Sequence, residues 1–74
     1  MGEGDRLEAV IVALEGVVER LDDLVLEMLS DAVQRGETAR PPRERQLTRA
    51  RNAVERSVHI LRQAASGAEL DPGE

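Results

Sequence analysis

The 74 residues contain no cysteine, phenylalanine, tyrosine, tryptophan or lysine, and a single histidine, His59. Without cysteine there is neither a disulfide staple nor a thiolate metal site. Without aromatic rings there is no base-stacking platform and none of the usual anchors of interface hot spots. Any binding surface must be aliphatic or charged. Long apolar runs are missing too: the longest covers residues 9–14, far below the ~20 residues of a spanning helix. No membrane segment is expected. The opening Met1-Gly2-Glu3-Gly4-Asp5-Arg6 has no basic start or apolar core of a secretory signal, and Arg6 stands where a myristoylation motif needs Ser or Thr. The expected location is the cytoplasm.

A single domain of this size struggles to bury enough surface to stand alone, and the usual supports are disulfides, a structural metal or oligomerisation. With no cysteine and one histidine, oligomerisation is the support that remains.

From Leu7 the apolar residues recur at 7, 10, 14, 17, 21, 24 and 28, spacings of three and four in alternation, which is the period of a helix. With Leu7 as heptad position a, all ten a, d and e positions are apolar: Leu7, Val10, Ile11, Leu14, Val17, Val18, Leu21, Leu24, Val25 and Met28. A two-stranded coiled coil needs only a and d, and the added e position makes the wider stripe of a helical bundle. Asp5 is a candidate N-cap with Glu8 as capping-box partner, and Gly36 is a stop signal. Helix 1 is therefore expected over about 6–35, after a disordered 1–4. Its end is apolar nearly all round, because Leu26, Leu29 and Val33 join Val25, Met28 and Ala32; such a segment calls for burial on several sides. Gly16, inside the helix, is either a tolerated defect or a place where a partner comes close.

Residues 36–41 form the connection, since a proline pair ends one helix and Pro42 can open the next. Helix 2 is expected over about 42–66, with Leu47, Ala50, Val54, Ser57, Val58, Leu61, Ala64 and Ala65 as its stripe and Gly67 as its stop. Ala50, Ser57 and Ala64 recur every seven residues and allow another helix to approach closely. Residues 67–74 read as an acidic, disordered tail. The fold expected is all-α: one antiparallel two-helix hairpin over 5–66. Helix 2 brings too few large side chains to cover helix 1, and leaving four or five of those in water forgoes roughly 1.5–3 kcal/mol each. Two hairpins packed through helix 1 would make a homodimeric four-helix bundle with twofold symmetry. Burial by a different protein is the competing answer.

Charge is uneven. Residues 1–36 carry nine acids and three arginines, residues 37–66 three acids and seven arginines, and the tail three further acids, for a net −5 overall. One reading pairs acidic helix 1 with basic helix 2 along the hairpin, adding little stability per exposed pair. Another makes the arginine face of helix 2, with Arg45, Arg49 and Arg56 beside Asn52, a track for nucleic-acid phosphates; the net negative charge and missing aromatics oppose it. A third docks that face on an acidic protein.

Glu55 and His59, four apart, could offer two metal ligands, but di-metal bundles use Glu-x-x-His and inward carboxylates; a solvated pair is the plainer reading. Glu15, Glu19, Asp22 and Asp23 make a carboxylate ladder able in principle to bind cations or shift one another's pKa, yet in this register they point away from the core. No catalytic triad, phosphate loop or CxxC occurs, so no cofactor, metal or enzymatic activity is expected. The stretch 14–21 resembles the opening helix of the exonuclease VII small subunit, but the residues after Leu21 depart from that family. Residues 5–9 resemble polyketide synthase docking helices over too short a span to carry a function across.

These features together lead to the expectation of a non-enzymatic oligomerisation or adaptor protein. Its self-association surface is the ten-residue stripe, and Leu26, Leu29, Val33, Arg45, Arg49 and Arg56 are its candidate contacts with a protein partner. A small nucleic-acid-binding regulator is the alternative.

Overall fold

The computed structural model describes residues 2–67, the side chain of Glu3 excepted. Among them are two helices and no strand, α1 (Glu3–Gln34) and α2 (Pro42–Ala65), packed as a helical hairpin.

α1 starts earlier than its side chains suggest. Gly2 is the N-cap, in extended backbone and with no side-chain cap, and its carbonyl accepts the N–H groups of Asp5 and Arg6 at 3.1 and 3.3 Å. Asp5 is therefore not the cap, and Glu3 and Gly4, expected to be disordered, are helical. Asp5 instead lies in the first turn, where its negative charge faces the positive end of the helix dipole. The other end follows the expected chemistry. Gly36 takes φ +79°, a conformation that costs a side-chain-bearing residue about 1–2 kcal/mol. Around it Gly36 N–H bonds to Val33 O and Glu37 N–H to Ala32 O, both at 2.9 Å, which is the paired closure of a Schellman stop.

Pro41 caps α2 in extended backbone, and Pro42 occupies its first turn, where a missing N–H costs nothing. Gly67, at φ +74°, ends it with the matching bond from its N–H to Ala64 O at 3.2 Å. The remainder of the expected disordered tail lies outside the described residues.

The hairpin is one helix thick: its extents are 50 × 30 × 12 Å and its radius of gyration is 16.7 Å, where a compact domain of this length has about 11 Å. A single layer has no enclosed interior. Among the described residues, only Ile11, Ala32 and Val58 are buried apolar residues. Ile11 and Ala32 lie three heptads apart on the e edge of the α1 stripe, so that edge faces the seam with α2. The d edge turns out of it, leaving Val10 and Leu24 48% and 46% exposed. Ile11, expected at an interchain surface, is thus fully covered within its own chain. The apolar end of α1 is covered on one side only: Ala32 is buried and Val25, Met28 and Leu29 are half-buried, while Leu26 and Val33 are exposed.

Candidate functional site

Both carboxylate sets noted in the sequence meet on one side of the hairpin. Val18 and Val58 floor an open groove of about 510 Å³, walled by Glu15, Glu19 and Asp22 from α1 and by Arg51, Glu55, His59 and Arg62 from α2. Glu15 and Asp22 are partly drawn toward α2 rather than fully solvated as their register suggests, while Glu19 and Asp23 are exposed, because the seam is centred nearer that edge of the helix than the a/d/e stripe implies.

Arginines hold the groove together. Arg51 Nε donates to Asp22 Oδ1 at 2.9 Å across the seam and also bonds Glu55 on its own helix. Arg62 bonds Glu15 across the seam. The bond to Asp22 raises the pKa of Arg51 above its ordinary value, and the bond to Glu15 does the same for Arg62. Both stay cationic, so neither can pass a proton. Glu55 thus pairs with Arg51, and no Glu55–His59 ion pair forms. Among the described residues no group of three or more His, Asp or Glu is placed to hold a metal ion, and no helix is long and apolar enough to cross a membrane.

A second polar cluster closes the connection. Glu44 is wholly buried in the first turn of α2, and its Oε2 accepts from Arg40 and, at 2.7 Å, from Thr48 Oγ1. Oε1 is buried without a partner. The Arg40 bond, helped by Thr48, holds the carboxyl below the usual range. Sequence reasoning passes over this residue, although the spacing Arg40, Glu44, Thr48 at four-residue intervals is the helical pattern that brings such side chains together.

The remaining candidates lie at the rim. Arg45, Arg49 and Arg56 are exposed on the edge of α2 far from α1, and among the described residues they enter no ion pair. Among the described residues, cross-helix pairing thus engages Arg51 and Arg62. Asp23, Glu27 and Asp31, also exposed, occupy the corresponding outer edge of α1.

Opposite the groove lies the apolar face. At about 100° per residue, Val10, Val17 and Leu24 stand roughly 140–160° round α1 from Glu15, Glu19 and Asp22. Ala50, Ser57 and Ala64 stand about as far round α2 from Glu55 and Arg62. The groove face carries the arginine–carboxylate pairs, with Leu26 and Val33 exposed toward its end near the connection, and the opposite face is aliphatic and open.

No protein-family model matches the sequence, and no curated protein or solved structure matches it.

Proposed function

We propose that this chain is a non-enzymatic helical assembly protein, which self-associates through the aliphatic face to form a four-helix bundle and acts as an adaptor for a protein partner. The observation that carries the reading is the half-exposed row Val10, Leu24 and their neighbours on a layer 12 Å thick. A one-layer hairpin leaves that face in water, and stacking a second layer on it is the common way for helices to make a core. The groove supports a structural role for its charges, since its arginines are engaged by carboxylates of the same chain. Leu26 and Val33, exposed on the groove side near the connection, are the partner contacts in this reading.

Molar mass by light scattering at micromolar concentration tests it. Twice the 8.1 kDa of the chain, or a higher multiple, is expected, and a folded monomer refutes it.

A nucleic-acid-binding role draws on one specific observation, the three exposed rim arginines that enter no ion pair among the described residues. In that case DNA or RNA is retarded at low salt, binding weakens steeply as salt rises, and Arg45→Glu, Arg49→Glu and Arg56→Glu together abolish it. Absence of retardation at low salt ends that reading.

A further inference from the structure

We infer that the second copy packs with its α2 over α1 of the first, about a twofold axis parallel to the helices, rather than α1 over α1. This rests on the dimer proposed above and specifies its geometry.

Two stacked hairpins have two twofold solutions. An axis along the helices lays α1 on the partner's α2, while an axis across them lays α1 on α1 and α2 on α2. The size of the facing side chains separates the two. The pairs Asp22–Arg51 and Glu15–Arg62 set which residues stand level, and they place Val10, Val17 and Leu24 level with Ala64, Ser57 and Ala50. An axis along the helices preserves level, so Val10, Val17 and Leu24 of one copy meet Ala64, Ser57 and Ala50 of the other. Alternation of large and small across facing positions is what fills a core without voids. The other axis sets bulky against bulky on α1 and, Ile60 apart, small against small on α2, crowding one half of the interface and underfilling the other.

Charge at the rims favours the same choice. With the axis along the helices, the edge of α1 carrying Glu27 and Asp31 borders the partner's edge carrying Arg45 and Arg49, again level with one another. With the axis across them, the arginine edge of each α2 borders only the arginine edge of the other, and like charges disfavour that pairing. Arg45 and Arg49, which enter no ion pair among the described residues, find acids in the second copy.

The chain has no cysteine, so engineered disulfides report contacts cleanly. A Val17→Cys, Ser57→Cys double variant, oxidised and run on a non-reducing gel, is expected as a covalent dimer, as is a mixture of the two single variants. Neither single variant alone is expected to cross-link, since bridging requires Cα atoms within about 7 Å. Cross-linking by Val17→Cys alone overturns the arrangement in favour of α1 on α1. So does a chain of dimer mass that yields no cross-link in the double variant or the mixture. A monomeric mass by light scattering overturns the dimer itself, and the arrangement with it.

Discussion

Asp22 on α1 accepts a hydrogen bond from Arg51 Nε on α2 at 2.9 Å, and the same guanidinium reaches Glu55 one turn further along its own helix. One cation thus ties the two walls of the groove at its centre. The Asp22 and Arg51 side chains are 49% and 27% exposed, so water and salt screen them and the pair sets alignment more than stability. Asp22→Arg is expected to lower the urea midpoint, and adding Arg51→Asp to restore part of the loss. A double variant no better than the sum of the singles rejects the pairing.

Ile11 and Leu24 separate what the hairpin buries from what an assembly buries. Ile11→Ala is expected to cost about 2–5 kcal/mol, the range for a buried large-to-small change, whatever the association state. Leu24→Ala in a free hairpin costs within about 0.5 kcal/mol, as at an ordinary surface site. In the proposed dimer it lowers the melting temperature markedly, and the wild-type melting temperature itself rises with protein concentration. Calorimetry at two concentrations reads both effects.

Gly16 and Gly36 respond oppositely to alanine. A Cβ at Gly16 meets nothing within 4 Å in this chain, so Gly16→Ala is expected to stabilise by about 0.5–1 kcal/mol through helix propensity. Gly36, at φ +79°, loses about 1–2 kcal/mol when changed to Ala. Thermal denaturation checks both, and a Gly16→Ala protein of altered molar mass locates a close contact on that side of α1.

Glu44 makes the connection acid-sensitive. Its carboxyl is held below its ordinary 4.5, first by the Arg40 bond and then by Thr48. A lowered folded value means that the unfolded chain takes up the proton first. The stabilisation is therefore complete above the ordinary value and is lost as pH falls through the lowered one. Melting curves from about pH 5 to pH 2 are expected to fall more steeply for the wild type than for Glu44→Gln, which melts lower at neutral pH. Parallel curves for the two proteins refute this.

Much of the fold is legible because it is locally encoded. The spacing of apolar residues, Gly36, the proline pair and Gly67 each act within one or two turns, so both helices, the connection and their C-terminal ends can be read from neighbouring residues. The start of α1 departs from the capping pattern because a good N-cap at Asp5 does not forbid helix before it, and Gly2 can serve with its backbone alone. The groove is harder to see. Glu15 and Asp22 read as solvated when α1 is considered singly, and only the arginines of α2 show on which side they lie.

Sequence alone therefore determined that two amphipathic helices form, where they break, and that apolar surface exceeds what one hairpin covers. Tertiary structure decided how far each helix is rotated about its own axis. That rotation puts the e edge of α1 into the seam, gathers the carboxylates and arginines on one face, and leaves Val10, Val17 and Leu24 on the other. It depends on how two side-chain surfaces separated by up to some fifty residues of chain fit together, and no local pattern specifies that fit.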